Sequence, residues 1–298
     1  MTEKLLNCFG DKGIDCRAHI PLSTYSSFRI GGVGELGVFP SSAEELIFCI
    51  SELRAAGLEY RIIGKGSNIL FLDGVLSGAF IFTEKLCNIS VEDTAIRAEA
   101  GASLAALSAK AAESSLCGLE FAKGIPGSVG GAVYMNAGAY GGQMSDVVIS
   151  TLCYDTKSRE LRTVTDHGFS YRRSIYEKDP TLVCLCASIR LERGDRDEIY
   201  EKMRSFAASR KEKQPLEYPS AGSYFKRPEG HFAGKLIEDC GLKGFSVGGA
   251  QVSEKHAGFI INRGGATAAD VLELERKVSE IVFEKFGVRL EREVRVIG

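Results

Sequence analysis

Two short stretches hold the residue types from which a phosphate cradle is built. They are Gly64-Lys65-Gly66-Ser67-Asn68, and Gly124-Ile125-Pro126-Gly127-Ser128-Val129-Gly130-Gly131-Ala132 with its continuation to Gly142. Successive main-chain N–H groups in a glycine turn form an anion-binding concavity, and a serine hydroxyl or asparagine amide adds donors. The second stretch carries seven glycines, three alanines and one serine between Gly124 and Gly142, so another group can approach its main chain closely. A flexible linker would carry Ser, Thr and charge in place of Ile125, Val129, Val133, Tyr134 and Met135. Tight helix packing through small residues is the competing reading. A ligand shared by both stretches would be a pyrophosphate, held without a dedicated metal.

Other motifs carry less. Gly32-Val33-Gly34-Glu35-Leu36-Gly37 spells the dinucleotide fingerprint, but it precedes a strand and opens no helix to face a pyrophosphate. No G-x-x-x-x-G-K-[ST] occurs. Arg210-Lys211-Glu212-Lys213 is the one notable basic cluster, read equally well as a solvated helix end or a phosphate contact.

The elements that must position these loops follow from patterning. Short strands are expected at Glu35–Phe39, Tyr60–Ile63, Ile69–Leu72, Ala79–Phe82 and Ala95–Ala98. Ser41 and Ser42 ahead of Glu44 and Glu45 predict a capped helix with Leu46, Ile50 and Leu53 inward, closed by Gly57. An Ala-rich helix is expected from Ser103 to Leu116. Leu182–Ile189 is apolar on both faces, as a central strand is. After a charged helix from Arg196 to Arg210, Pro215 and Pro219 mark a boundary. Thr267 and Asp270 open a helix lined by Val271, Leu274, Val278 and Ile281, which ends at Gly287. A last strand is expected from Val288 to Ile297, with Arg289, Glu291, Glu293 and Arg295 on its polar face.

A length of 298 residues allows about two domains. The formal net charge of −2, with both signs interspersed, gives no nucleic-acid footprint. No apolar run nears membrane-spanning length, and the start Met1-Thr2-Glu3-Lys4 lacks a signal-peptide core. Nine cysteines without paired spacing suit a reducing cytoplasm, so neither disulfides nor a metal site are expected.

The two glycine segments, with Met135-Asn136-Ala137-Gly138-Ala139-Tyr140-Gly141, resemble the flavin-binding segments of the UDP-N-acetylenolpyruvoylglucosamine reductase family. The resemblance runs on in family order from about Ser26. It includes Tyr171-Arg172-Arg173-Ser174, Ala221-Gly222-Ser223-Tyr224-Phe225-Lys226, Ala233-Gly234-Lys235-Leu236-Ile237-Glu238, Gly241-Leu242-Lys243-Gly244 and Leu290-Glu291-Arg292-Glu293-Val294-Arg295. It implies an α+β fold: a two-part FAD-binding domain of the vanillyl-alcohol-oxidase type over 25–193, after an N-terminal segment 1–24, and a smaller substrate domain over 194–298. The implied activity is that of UDP-N-acetylmuramate dehydrogenase. Non-covalent FAD is the cofactor and NADPH the co-substrate, and UDP-N-acetylglucosamine enolpyruvate is reduced in peptidoglycan synthesis by a cytoplasmic monomer. Covalent attachment would need a His in the first loop, and Gly64 to Asn68 contains none.

Hydride addition to the vinyl carbon leaves negative charge beside the carboxylate, so the site needs a cation, an acid and a polarising group. By resemblance these are Arg172, Ser223 and Glu293. Gly64, Lys65, Gly66, Ser67, Asn68, Gly124, Gly127, Ser128, Gly130, Gly131, Asn136, Ala137 and Gly138 are implied to hold FAD. Tyr140, Lys213, Lys226, Arg227 and Arg295 are implied to meet the substrate. Arg227 and Gly258 stand where many members carry Asn. No insertion with a capping Tyr separates Tyr171 from Leu182, which matches the shorter, second type of the reductase. Two alternatives stay open: a flavin alcohol or sugar oxidase of the same fold, and a nucleotide-sugar-binding module with a structural flavin.

Overall fold

The computed structural model describes residues 2–298. The chain divides into two compact units, and both are discontinuous in sequence. The first takes the chain up to Ala18, then Leu36–Lys65 and Gly78–Arg210; the second takes His19–Glu35, Gly66–Ser77 and Lys211–Gly298. Helix Thr2–Asp11, closed by Gly13 at φ +74°, packs Leu5 and Phe9 into the first unit's core.

A four-stranded sheet has the order Asp15–Pro21, Val33–Phe39, Val75–Phe82, Tyr60–Ile63. Its last pair is parallel. Such a pair needs a crossover. Helix Ala43–Ala55 packs on the sheet, burying Leu46, Cys49, Ile50 and Leu53 against Leu36, Val38, Ala79 and Ile81. Its start follows the sequence pattern. Ser42 Oγ accepts from Glu45 N–H at 3.2 Å, and the Glu45 carboxylate accepts from Ser41 N–H at 2.7 Å. A cap of this kind contributes about 1 kcal/mol.

A second, antiparallel sheet has the order Glu160–Val164, Val148–Asp155, Leu182–Arg190, Ala95–Glu99, Ile89–Glu92. The predicted central strand is its middle member, with Leu182, Val183, Leu185, Cys186, Ala187 and Ile189 buried. Helix Leu104–Glu113, capped by Ser103, shares this core through Leu104, Leu107 and Ala111. The glycine-rich stretch is more regular than a cradle alone requires: a seven-residue helix, Val129–Met135, lies inside it. Val129, Ala132 and Val133 are buried there, so small-residue packing and exposed glycine backbone occur in the same segment.

The second unit is built on an antiparallel sheet ordered Ser220–Ser223, Phe259–Asn262, Ala250–Val252, Ser246–Val247. Helices Ala233–Asp239 and Ala268–Phe286 bury Leu236, Ile237, Val271, Leu274 and Val278 in its core. Thr267 and Asp270 form a reciprocal capping box, and Gly287 ends the long helix at φ +69°. The expected strand from Val288 to Ile297 is corrected. Only Arg295–Ile297 is strand, parallel to Ile69–Phe71, with one isolated bridge between Phe225 and Arg292. The apolar half of the alternation still packs inward, with Val294 buried and Val288, Leu290 and Val296 against the same core. Side-chain period alone does not supply a continuous ladder partner.

Candidate active site

Strand Tyr60–Ile63 runs directly into the first glycine loop, and the need for glycine there is steric. A Cβ added to Gly64 would lie 2.3 Å from Ser128 Oγ, so the two glycine segments touch at this point. Gly66 is buried at φ +58°, and its Cβ would lie 2.0 Å from Tyr25 O. Among the described residues, no protein acceptor meets the N–H groups of Lys65, Gly66 and Ser67. Three consecutive donors of this kind, one of them buried, need an acceptor from elsewhere.

The second segment is strapped down through its backbone. Leu104 N–H donates to Gly127 O at 3.0 Å, Val129 N–H to Ala102 O at 2.8 Å, and Gly130 N–H to Ala100 O at 2.8 Å. A Cβ on Gly130 would come within 2.9 Å of Ala100 Cβ. Ser128 caps the short helix, its Oγ accepting from the N–H of exposed Gly131 at 3.4 Å. The helix ends at Asn136, in left-handed conformation at φ 43° and ψ 55°, and Ala137 N–H returns to Ala132 O at 2.8 Å. Gly138-Ala139 and Gly142-Gln143 then pair as a hairpin around Tyr140 and Gly141, both at positive φ. A Cβ on Gly138 would fall 2.6 Å from Gly142 O. Exposed Tyr140 stacks on Phe206, centroids 4.6 Å apart. Gly124 lies against Arg210, where a Cβ would be 3.2 Å from Arg210 Cδ. Burial pushes the Arg210 guanidinium pKa down, against the pull of nearby Tyr140.

Arg172 sits in a tight turn in which the N–H groups of Ser170 and Arg173 each donate to the other's carbonyl, at 3.1 and 3.2 Å. It takes φ +58°, unusual for a residue with a side chain, and its guanidinium lies 5.2 Å from the Tyr171 ring centroid. Both flanks of the turn are anchored. Ile175 N–H donates to His167 O at 2.7 Å, and His167 Nε2 lies 3.0 Å from Thr151 Oγ1. Burial lowers the His167 pKa, which favours a neutral ring.

In the second unit, Ser223 and Glu293 come from neighbouring segments. Glu293 N–H donates to Tyr224 O at 2.8 Å and Lys226 N–H to Glu291 O at 2.8 Å. Ser223 is exposed and Glu293 half-buried. Asn68 donates its amide to Glu293 O at 3.2 Å and accepts from Arg295 N–H at 2.9 Å, so the end of the first loop also fixes the acidic segment. Lys226 is paired with Glu291, and Arg227 stacks on Phe232 with its guanidinium 3.8 Å from the centroid. Lys213 is exposed at the end of helix Arg196–Lys213. Arg172 belongs to the first unit, whereas Ser223, Glu293, Arg295, Lys213, Lys226 and Arg227 belong to the second.

Sequence reasoning missed the residue behind Ser223 and Glu293. Glu275, on the long helix, accepts from Tyr224 OH at 2.8 Å and from Arg292 Nη1 at 3.0 Å, joining the two residues that adjoin the pair. Burial and that carboxylate raise the Tyr224 pKa. The signal was present as an acid at the edge of the apolar stripe, next to Leu274. Gly258 has a local cause as well, because its Cβ would lie 3.0 Å from His256 Cε1.

Unpaired main-chain donors in the first loop, a glycine-walled second loop and the absence of His between Gly64 and Asn68 fit the diphosphate of a non-covalent dinucleotide. Fold and cradle together define an FAD-binding flavoprotein, and residues 35–163 match the family described as FAD binding domain. Residues 214–297 match UDP-N-acetylenolpyruvoylglucosamine reductase, C-terminal domain. Reductases of that name from Caldanaerobacter subterraneus subsp. tengcongensis and Agathobacter rectalis are 49% and 50% identical, each over 93% of this chain and 92% of its own length. The crystal structure of the Thermus caldophilus reductase superposes with a TM-score of 0.81 at 33% identity, covering 96% of this chain and 99% of that one. The chain belongs to the UDP-N-acetylenolpyruvoylglucosamine reductase family.

Proposed function

We infer that this protein reduces UDP-N-acetylglucosamine enolpyruvate to UDP-N-acetylmuramate with NADPH, as the cytoplasmic step that makes the muramyl sugar of peptidoglycan. When bound, FAD supplies the two-electron carrier between NADPH and the vinyl carbon. Lys65, Gly66 and Ser67 would hold its diphosphate through their main-chain N–H groups, with Gly64 and Ser128 forming the adjoining wall. Arg172 grips the substrate carboxylate through a planar guanidinium suited to two parallel hydrogen bonds, and stabilises the charge that develops beside it. Ser223 gives its hydroxyl proton to the adjacent carbon, a transfer that a weak acid makes only to a strongly basic centre shielded from water. Glu293 orients the substrate, and Arg295 anchors its charge.

The observation that carries this reading is the backbone register linking the Ser223 and Glu293 segments, where Tyr224 O accepts from Glu293 N–H at 2.8 Å. An oxidase of the same cofactor fold has no need of an acid and a hydroxyl held in that register. The test is NADPH consumption by the purified flavoprotein with and without UDP-N-acetylglucosamine enolpyruvate. Consumption that depends on the sugar nucleotide, with one UDP-N-acetylmuramate formed per NADPH, is expected. Steady oxidation with oxygen as acceptor and no dependence on the sugar nucleotide would replace the reductase with an oxidase.

A further inference from the structure

We propose that Asn136 and Ser174 are positioning residues, which clamp the turn carrying Arg172 onto the end of the cofactor-loop helix. The proposal rests on the reading of Arg172 as the carboxylate-binding cation. Asn136 is 2% exposed, and its amide is spent inside the protein. Nδ2 donates to Ser170 O at 3.2 Å and to Gln143 Oε1 at 3.3 Å, while Oδ1 accepts from Ser145 N–H at 2.9 Å. A main-chain carbonyl on one side and a main-chain N–H on the other fix which amide atom is which.

Ser174 is fully buried and supplies the second bond. Its Oγ donates to Tyr134 O at 2.8 Å. Tyr134 lies in the last turn of helix Val129–Met135, where carbonyls lack partners within the helix. The two bonds are therefore reciprocal. One runs from the helix end to the first residue of the Arg172 turn, and the other runs from just beyond the turn back to the helix.

Ser170 O is the pivot, since it also accepts the Arg173 N–H that closes the turn at 3.2 Å. Arg172 needs such support. A non-glycine residue at φ +58° persists only where its surroundings over-determine it. Asparagine suits the other end for the same reason, because it tolerates the left-handed conformation and carries both a donor and an acceptor. The clamp fixes Arg172 to the same helix whose opening residues line the cradle, so cation and cofactor keep one spacing. Asn68 repeats the arrangement in the second unit, where the last residue of the first loop donates to Glu293 O.

Asn136→Asp keeps the acceptor for Ser145 and removes the donor to Ser170; Ser174→Ala removes the other bond, and Ser174→Thr retains it. In Asn136→Asp and Ser174→Ala, substrate-dependent turnover should fall on the order of tenfold, the ratio set by one buried hydrogen bond of about 1.4 kcal/mol. Ser174→Thr should recover most of it. In Ser174→Ala, which lies outside the residues implied to hold FAD, FAD affinity by fluorescence titration, and NADPH oxidation with ferricyanide as acceptor, should stay within about threefold of the unsubstituted protein, because neither readout uses Arg172. In an Arg172→Lys background the Asn136→Asp penalty should largely vanish, since a residue that acts through Arg172 has nothing left to position. Amide exchange of residues 170–173 in the cofactor-free protein should quicken in both clamp variants.

A turnover penalty that multiplies undiminished with Arg172→Lys overturns the proposal, as does unchanged exchange in the turn. If the unsubstituted protein lacks substrate-dependent turnover, the functional reading fails, and the exchange experiment still decides whether these two bonds hold the turn.

Discussion

Gly64→Ala tests whether the two glycine segments form one wall. The backbone at Gly64 is outside the left-handed region, so alanine brings no conformational strain. What it brings is a Cβ 2.3 Å from Ser128 Oγ and 3.4 Å from Ser128 Cβ. The second distance is an ordinary contact, so only the hydroxyl has to leave. Rotating it away deprives Gly131 N–H of its acceptor, which is the loss of one helix N-cap, about 1 kcal/mol. Ser128→Ala forfeits the same cap and costs the same, about 1 kcal/mol. In the double variant there is no hydroxyl to displace, so the total stays near 1 rather than 2 kcal/mol and the coupling is about 1 kcal/mol. Alanine also lowers the entropy of the unfolded chain, but that effect is equal in both backgrounds and cancels in the cycle. The assay is urea or thermal unfolding of the cofactor-free protein, where 1 kcal/mol corresponds to about 2–4 °C in a domain of 150–250 residues. Additive penalties, agreeing within about 0.3 kcal/mol, would refute the contact between the loops.

Two further predictions concern chemistry and pH. Ser223→Ala should leave NADPH-dependent bleaching of the flavin absorbance nearly intact and slow its return on adding the sugar nucleotide by about a hundredfold or more, within the range general acids contribute; equal loss in both half-reactions would remove Ser223 as the proton donor. His167 and His256 are both held below the ordinary histidine pKa of 6.5 by burial. The unfolded chain therefore binds protons there that the folded protein resists, and stability should decline as pH falls below about 6.5. Urea midpoints at pH 7.5 and 5.5 measure this, and a midpoint that holds or rises at pH 5.5 contradicts the neutral buried assignment.

Local signals made much of the scaffold legible. Ser42, Ser103 and Thr267 cap helices through their own hydroxyls, Gly287 closes the longest helix, and the doubly apolar run from Leu182 to Ile189 is a central strand. Each is decided by backbone stereochemistry or by one element's side-chain period, so neighbouring residues suffice. The strand expected from Val288 is shorter than its pattern because a ladder also needs a partner, and only Ile69–Phe71 and Phe225 provide one. Glu275 became visible only when its carboxylate was seen to join Tyr224 and Arg292.

The glycine loops and their motif neighbours were determined by the sequence itself, since glycine, serine and asparagine at those positions restrict what a backbone can approach. The cofactor was implied there too, through a family resemblance spread along the chain. Tertiary structure decided how tasks divide among those residues. Gly64 is glycine because Ser128 occupies the space of its Cβ, and the amides of Asn68 and Asn136 are spent on Glu293 and Ser170. Contacts between residues 64 and 128, or 68 and 293, depend on how distant segments pack, and no local pattern encodes the distance between them.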